Sequence, residues 1–299
     1  MIGNPLVTPS PPRHATALGV ACGAGAAFCW ALGFVAARHG IDVGVSPFVL
    51  ALHRYFWPGL ALLPFVAANG FHDLGGIGWG RGFVLALFGG LPLALLSYVG
   101  YLYVPLGHGG VIQPSCAALG GMLLARLVLK EPLPGRRIAG GLAIVAGLCI
   151  IGAEAFRTIG AHGIAGDLLF VAAGGFFASF GMLVRLWRVP AMRSVAVTSV
   201  LSLVGVPVLL FWLDNLLAAG LAENVLQAVI QGALAGGAAT YLFTRAVVLL
   251  GASRAVLFPS LVPPFVLLLG FIALGEVPTL SQLAGLAVVL IGFRLTQKG

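Results

Sequence analysis

The sequence predicts an all-α polytopic membrane protein of ten transmembrane helices, arranged as two inverted five-helix repeats. The prediction rests on the scarcity of charge, a series of long apolar runs, and a similarity between the two halves of the chain. Of 299 residues, 60% are hydrophobic and only 8% are charged, and the mean hydropathy is +1.08. Ordinary globular chains carry about 25% charged residues. A soluble fold of this length would lack polar surface, so the chain is predicted to lie in a membrane.

The apolar residues fall into ten runs. Most of these runs approach the length of about 20 residues that a helix needs to cross a hydrocarbon core. The predicted spans cover residues 17–37, 46–68, 82–103, 109–129, 137–153, 163–186, 192–212, 225–249, 255–274 and 281–296.

The positions of the cations predict the orientation of the spans. With the N-terminus in the cytoplasm, thirteen of the sixteen Lys and Arg residues lie at or near the inner side. Arg38 and Arg157 then lie outside, and Arg54 lies within a span. Inner loops of membrane proteins carry such an excess of positive charge. We therefore expect both termini in the cytoplasm and the chain in the inner membrane, and the net charge of +8 needs no nucleic-acid partner.

Two stretches of the chain, 145 residues apart, resemble each other. IQPSCAALGGMLLARLVLKE (112–131) aligns with LFPSLVPPFVLLLGFIALGE (257–276). The matched pairs are Pro114 with Pro259, Ser115 with Ser260, Glu131 with Glu276, Gly140 with Gly285, and Gly147 with Gly292. A shift of 147 residues also aligns Gly19, Trp30 and Arg38 with Gly166, Phe177 and Arg185.

This repeat predicts two units, residues 1–154 and 155–299, that form one membrane domain. Because each unit has five spans, an odd number, the second unit would enter the membrane from the opposite side. Inverted repeats of this kind are typical of secondary transporters, which hold the substrate between the repeats near the membrane midplane.

The junction pattern E-x-x-x-x-x-x-x-x-G, at Glu131 and again at Glu276, resembles that of the drug/metabolite transporter superfamily, and more closely its EamA-type exporters. The second span, SPFVLALHRYFWPGL (46–60), is similar to that family's, with an arginine followed by aromatic or large apolar residues. The resemblance implies export of small metabolites. Aromatic residues in spans one, three, six and eight resemble those of a branch that exports amino acids, aromatic ones included. The seventh span departs from the pattern, since residues 194–212 hold no arginine to match Arg54.

Arg54 is the most informative candidate for substrate binding. It lies about 12 Å of helix below the outer end of the second span, where an arginine is tolerated only if it faces protein or a wet cavity. Arg54 could attract a carboxylate or another anionic group of a substrate, or it could be tied structurally to a backbone carbonyl. The neighbouring His53 points about 100° away around the helix and is a candidate for a pH-sensitive role.

Aromatic residues provide the second set of candidates. Tyr98 and Tyr101 are three residues apart and share a helix face. Trp30, Phe177 and Tyr241 lie at mid-span depth. Trp30 and Phe177 occupy matching places in the two repeats, so they could flank a flat apolar ligand from both sides.

Proline and serine recur in the fourth and ninth spans. A proline inside a helix removes one hydrogen bond and bends the chain, so these spans could act as bendable elements or simply carry packing kinks. The expected hinge or gating residues are Pro114, Pro259, Pro263 and Pro264. Gln113, Ser115 and Ser260 could add polar contacts to a substrate.

These observations favour an inner-membrane exporter of small metabolites, most of all amino acids including aromatic ones, that works by alternating access around a central cavity. No span has an acidic residue at its midpoint, which favours a uniporter. A multidrug, nucleoside or other metabolite exporter, with or without proton coupling, is the alternative. No cluster of the kind that an enzyme needs, and no ring of like groups that a channel needs, is present in the sequence. The expected partners are the substrate and the lipid bilayer, with no obligate protein partner, metal or cofactor.

Overall fold

The computed structural model describes residues 13–128, 130, 134–158, 160–250 and 258–297. All regular structure in these ranges is helical. The helices of the first half are α1 Arg13–Asp42, α2 Pro47–Ala68, α3 Trp79–Gly89, α4 Leu91–Gly100, α5 Leu106–Leu127 and α6 Gly135–Thr158. Those of the second half are α7 Ala161–Leu186, α8 Ala191–Ser202, α9 Val206–Leu209, α10 Leu213–Ala218, α11 Gly220–Gln227, α12 Ala239–Leu250, α13 Val262–Leu274 and α14 Leu280–Gln297. We call the end of the bundle where α1 stops the Asp42 end.

Six helices in the described part of the chain are long and apolar enough to cross a membrane. They are Thr16–Asp42, Pro47–Ala68, Trp79–Gly100, Leu106–Leu127, Ala161–Leu186 and Gly220–Ala246. Two shorter apolar helices, Phe258–Leu274 and Leu280–Thr296, accompany them. Many large apolar side chains on these helices are exposed, including Leu168, Phe271 and Ile272, as expected of a surface that meets lipid tails. The chain is therefore a polytopic membrane protein, whereas the count of ten spans stays a prediction.

The third predicted span is interrupted. α3 ends at Gly89 and α4 begins at Leu91, with Gly90 in a non-helical conformation between them. A Cβ on Gly90 would lie 2.3 Å from the Ala86 carbonyl oxygen, so this break requires glycine. Glycine and proline both weaken a helix, so the sequence GGLP at residues 89–92 accounts for the break.

The seventh predicted span, residues 192–212, is not one straight helix. α8 ends at Ser202, and a 3-10 turn, the short α9 and a second 3-10 turn follow. The pieces Met192–Val208 and Leu210–Ala218 are bent by 56° relative to each other, and they amount to one further span if the bent pair is counted together. Pro207 lacks the N–H group that would continue the α8 hydrogen-bond ladder, which accounts for a break near this position.

A π-helix of 11 residues, Ala228–Ala238, joins α11 to α12. Such wide turns with i to i+5 hydrogen bonds are rare and are frequent at functional sites. No feature of the sequence predicts it. Its residues include the fully buried Gln231 and several glycines.

The glycines of α6 and α14 make reciprocal contacts. A Cβ on Gly140 would lie 2.6 Å from the Gly292 carbonyl oxygen, and one on Gly292 would lie 2.7 Å from that of Gly140. Gly147 and Gly285 meet in the same way, at 2.7 and 2.9 Å. The helices therefore approach backbone to backbone, as small residues permit in membranes.

The main apolar core lies at the centre of the bundle. Val35 of α1, Leu50 of α2, Phe170 of α7 and Val266 of α13 belong to it, all almost completely buried. Tyr101 lies in the same cluster, with its ring centroid 4.8 Å from that of Phe170. This core surrounds the polar groups described next.

Candidate functional site

A fully buried glutamine links three elements at the middle of the bundle. Gln231, on the π-helix, donates from Nε2 to the carbonyl oxygen of Gly33 in α1 at 2.7 Å. Its Oε1 accepts from the hydroxyl of Tyr98 in α4 at 2.9 Å. The buried Tyr98 therefore does not project freely into a cavity but is fixed by a long-range hydrogen bond.

Arg54 reaches the same place from α2. Its Nη1 and the Oε1 of Gln231 each lie 3.5 Å from the point that a Cβ on Gly33 would occupy. The guanidinium also lies beside the Tyr55 hydroxyl, which donates to the carbonyl oxygen of Gly89 at 2.9 Å. We call Gly33, Arg54, Tyr98 and Gln231 the Arg54 cluster. It brings a cation, a hydroxyl and an amide together beside residue 33, where a Cβ would lie 2.8 Å from that of Ala235, so only glycine fits.

Polar residues on α11 connect the Arg54 cluster with the Asp42 end. Gln227 donates to the Ala36 carbonyl oxygen and to Glu223 Oε1, both at 2.8 Å. Glu223 also lies 3.3 Å from His39 of α1. Glu223, Gln227 and Gln231 follow one another at four-residue spacing, so they form one stripe along the helix. This four-residue spacing can be read in the sequence, although none of the three residues was among the predicted candidates.

His53 is buried against the same helix. The indole N–H of Trp57 donates to His53 Nδ1 at 3.1 Å, so this nitrogen is an acceptor. His53 Nε2 lies 3.0 Å from Asn224 Oδ1, and the Asn224 amide nitrogen donates to the carbonyl oxygens of Leu216 and Gly220. The partners therefore assign a neutral imidazole with its proton on Nε2. As expected from their spacing, His53 and Arg54 face different neighbours.

Gln113 and Ser115 lie on α5. Gln113 Oε1 is 2.9 Å from the Ser97 hydroxyl oxygen of α4, which places it one residue from Tyr98. The fully buried Ser115 donates to the Val111 carbonyl oxygen at 2.7 Å, within its own helix. Gln113 therefore contacts the residue next to Tyr98 of the Arg54 cluster. The hydroxyl of Ser115, in contrast, is hydrogen-bonded within its own helix.

The predicted hinge prolines occupy unlike surroundings. Pro114 lies inside the continuous α5. Pro259 and Ser260 lie in a 3-10 turn, Phe258–Leu261, and Pro263 and Pro264 lie in the first turn of α13. At a helix start a proline costs no hydrogen bond. The matched prolines of the repeat therefore do not produce matched kinks in the described residues, and their role as hinges stays a prediction.

The structure does not bring Trp30 and Phe177 together. The Trp30 ring lies 5.4 Å from that of Phe243, between α1 and α12. Phe177 is 45% exposed on α7, and its ring lies 6.3 Å from that of Phe180. Tyr101 is completely buried, and its hydroxyl has no hydrogen-bond partner among the described residues.

A cavity of about 350 Å³ lies one helical turn beyond Arg54, away from the Asp42 end. Its walls come from α2, α8, the π-helix and α12, and include Trp57, Leu62, Met192 and Tyr241. Apart from the Thr240 hydroxyl, the tyrosine hydroxyl and the indole N–H, the lining side chains are apolar. Tyr241 is 58% exposed and therefore stands at the edge of this cavity.

An ionic cluster closes the Asp42 end. Arg38 donates to Glu276 Oε1 at 3.2 Å and to the Tyr101 carbonyl oxygen at 2.7 Å, and it pairs with Asp42 at 2.9 Å. Glu276 Oε2 accepts from the backbone N–H of Leu106, the first residue of α5, at 3.1 Å. Glu276, the second junction glutamate, thus caps the N-terminus of α5 and forms an ion pair with Arg38 of α1. The first junction glutamate, Glu131, lies outside the described residues.

Comparison with known proteins identifies the family. The model of the EamA-like transporter family matches the chain twice, over residues 17–153 and 164–296. The chain therefore belongs to the EamA-like transporter family, and it is a membrane transporter. No curated protein matches it. One solved structure, described only as "Crystal structure of protein", aligns over 94% of this chain and 96% of that chain, with 19% identity and a TM-score of 0.60. At that identity the match shows the shared fold alone.

Proposed function

We propose that this protein exports small amphipathic metabolites, above all amino acids including aromatic ones, across the inner membrane. The observation that carries the proposal is the Arg54 cluster, with an apolar cavity one turn farther along α2 whose lining begins at Trp57 and Gly232, next to the cluster. An arginine at the centre of a membrane costs roughly 2.5–3.5 kcal/mol even on insertion scales. A substrate carboxylate at Arg54 would offset part of this cost through a charge-assisted hydrogen bond.

The cavity supplies the apolar half of the site. Its volume of about 350 Å³ lies within the range of small-molecule pockets, roughly 300–1,000 Å³. Trp57 and Tyr241 provide aromatic walls for a flat side chain. A cation would find no carboxylate among the described residues of the Arg54 cluster, which argues against a cationic drug as the main substrate.

The proposed mechanism is alternating access by ten spans in two inverted repeats, with both termini in the cytoplasm. The double match of the family model supports the duplication. The glycine contacts support it independently. The repeat aligns Gly140 with Gly285 and Gly147 with Gly292, and a two-fold axis then requires the observed contacts of Gly140 with Gly292 and of Gly147 with Gly285.

With this orientation, the Asp42 end is the outer side. Arg38, Glu276 and the stripe on α11 close it. The cavity lies on the cytoplasmic side of Arg54, where Met192 and Leu62 line it. This arrangement corresponds to a conformation in which a cytoplasmic substrate would enter and the outer exit is shut.

The sequence favoured a uniporter because no span has an acidic residue at its midpoint. Acids near the span ends, Asp167 and Glu154, were judged too far from the midpoint to build a proton relay. Asp167 of α7 is such an acid, and its side chain is buried within the bundle. The absence of acids from span midpoints therefore does not decide between uniport and proton coupling.

Counterflow of labelled phenylalanine into proteoliposomes tests the proposal. Unlabelled amino acids should compete, whereas nucleosides, sugars and 2-phenylethylamine, which lacks the carboxylate, should compete poorly. Replacing Arg54 by Gln should weaken phenylalanine binding by roughly 10- to 100-fold, the value of one charge-assisted hydrogen bond. Arg81→Gln is the matched control, because Arg81 lies over the Trp187 ring at 5.5 Å, far from the cluster.

Unchanged phenylalanine affinity in folded Arg54→Gln protein would remove Arg54 from the substrate site. Competition by nucleosides or drug-like cations, without competition by amino acids, would replace the proposed substrate class and leave the family assignment as it stands.

A further inference from the structure

We propose that His108 and Asp167 form a proton-binding site that couples transport to the proton gradient, an inference that rests on the proposed function. His108 Nδ1 lies 3.0 Å from Asp167 Oδ1. His108 is 2% exposed and Asp167 is 8% exposed. A titratable pair buried to this extent is costly and is usually functional inside a membrane.

The pair joins the two halves of the chain. His108 is the third residue of α5, and Asp167 is the seventh of α7. Close packing fixes both residues. A Cβ on Gly109 would lie 2.4 Å from the Phe170 ring, and one on Gly166 would lie 2.8 Å from Tyr103 Cβ. The backbones beside the pair are therefore packed closely, with α5 against α7 at Gly109 and α7 against the segment before α5 at Gly166.

Asp167 retains an unused acceptor. Its Oδ2 is buried and has no hydrogen-bond partner among the described residues. A purely structural pair would normally satisfy this oxygen, because an unpaired buried polar atom is destabilising. An open lone pair on a buried carboxylate is what a proton-binding site requires.

Few other charges face the pair. The hydroxyl of Tyr101, the residue that follows α4, lies 2.7 Å from the point that a Cβ on Gly109 would occupy. Glu276, which follows α13, accepts from Leu106 two residues before His108, and Arg38 of α1 already neutralises Glu276. Other charged groups occur on these helices and on those packed against them. They include His162 at the start of α7, Arg81 on α3, Arg126 and Arg185 at the far ends of α5 and α7, Arg136 and Arg137 at the far end of α6, and Arg294 in the last turn of α14. The side chains of Glu154 and Arg157 of α6 lie outside the described residues.

The proton balance of the pair is simple. With a neutral imidazole donating from Nδ1 to an ionised Asp167, the pair carries one negative charge in a low-dielectric interior. One proton, taken at His108 Nε2 or at Asp167 Oδ2, makes the pair neutral. Burying a net charge is costly. The protonated, neutral pair therefore favours the observed arrangement, in which α5 packs against α7, and loss of the proton favours separation of the two helices. One proton moving inward would thus accompany one substrate molecule moving outward.

The same helices connect the pair to the substrate site. α5 carries Gln113 five residues beyond His108. Gln113 contacts Ser97 of α4, and the adjacent Tyr98 bonds to Gln231 in the Arg54 cluster. A movement of α5 relative to α7 therefore displaces groups that touch the proposed substrate site.

The test uses proteoliposomes with an acidic interior, labelled phenylalanine outside, and the membrane potential clamped with potassium and valinomycin. With one proton exchanged per substrate, a gradient of about one pH unit should concentrate phenylalanine roughly tenfold in the wild-type vesicles, the ratio of the proton activities. Asp167→Asn should still exchange labelled for unlabelled phenylalanine, but should accumulate none against its gradient. Asp214→Asn, at an exposed carboxylate of α10, is the matched control and should accumulate phenylalanine as the wild type does.

The outcomes separate this inference from the proposed function. Wild-type exchange that ignores the pH gradient, or accumulation that survives Asp167→Asn, would overturn the coupling and leave the exporter intact. If wild-type protein does not exchange phenylalanine at all, the substrate proposal fails, and NMR of protein labelled with ¹⁵N-histidine then tests the proton site alone. The His108 signal, assigned with His108→Gln, should shift when the buffer is acidified and should shift differently in Asp167→Asn, and a signal that ignores pH would overturn the site.

Discussion

The close approach of α6 and α14 makes a quantitative prediction for Gly147→Ala. The added Cβ would lie 2.7 Å from the Gly285 carbonyl oxygen, where ordinary van der Waals contact begins at 3.4 Å. A backbone oxygen cannot swing aside, so the helices must separate by roughly 0.7 Å. A gap of that size forfeits a quarter to a half of the dispersion energy of the facing atoms.

The loss should exceed the gain in helix propensity. Overpacking of this kind costs about 1–3 kcal/mol, whereas exchanging glycine for alanine in a helix gains at most about 1 kcal/mol. We expect Gly147→Ala to lower the free energy of unfolding by about 1–2 kcal/mol. Gly285→Ala should do the same, and the double variant should lose less than the sum, because one separation of the helices relieves both contacts.

Unfolding in mixed micelles, followed by circular dichroism, measures these differences. Gly175→Ala is the matched control, since a Cβ there meets no atom within 4 Å. It should be unchanged or slightly more stable. Equal stability of Gly147→Ala and Gly175→Ala would refute the backbone-to-backbone contact, and additive losses in the double variant would refute its reciprocity.

Three further predictions concern polar contacts. Glu276→Gln should lower the unfolding free energy by about 1 kcal/mol, because a helix cap and a partly exposed ion pair are both weakened; thermal denaturation measures this. Gln231→Leu should cost about 1–3 kcal/mol, since it leaves the buried Tyr98 hydroxyl unpaired, and adding Tyr98→Phe should restore part of the loss. Acidification should alter the fluorescence of Trp57, because a proton on His53 Nδ1 removes the acceptor of the indole N–H.

Each of these predictions has its own control. Asp214→Asn should leave the stability unchanged, unlike Glu276→Gln. An additive rather than compensating effect of Tyr98→Phe would show that Gln231 does not satisfy this hydroxyl. The acid-induced change in fluorescence should vanish in Trp57→Phe, and its persistence there would assign the change to another tryptophan.

The positions of the helices could be read from the sequence because membrane helices depend mainly on apolar composition and length. α2 was predicted over 46–68 and observed over Pro47–Ala68. Breaks were predictable only where glycine and proline coincide, as at Gly89, Gly90 and Pro92. The π-helix has no such signature, since its alanine- and glycine-rich sequence is equally compatible with an α-helix. In the structure, α1 and α2 both pack against it.

The candidate site was predictable in part. Arg54 and Tyr98 were identified because a cation and a tyrosine at membrane depth are unusual. Gln231 was not among the predicted residues, because the tyrosine to which it is hydrogen-bonded lies 133 residues away in the sequence. His108 and Asp167 are 59 residues apart, and each alone resembles a polar residue near a span end. A single sequence carries no information on which helix faces will meet, so pairwise contacts of this kind had to come from the structure.

The two glycine crossings of α6 and α14 also restrict how the molecule can move. Gly140 and Gly147 are seven residues apart, so the two backbone contacts are separated by about 10 Å along the helix. A single crossing would act as a pivot, whereas two crossings resist rotation of one helix on the other. The α6–α14 pair is therefore rigid and is shared by both halves. In the proposed mechanism, opening and closing would fall on the other interfaces between the halves, such as those of α5 with α7, α1 with α12 and α2 with α8.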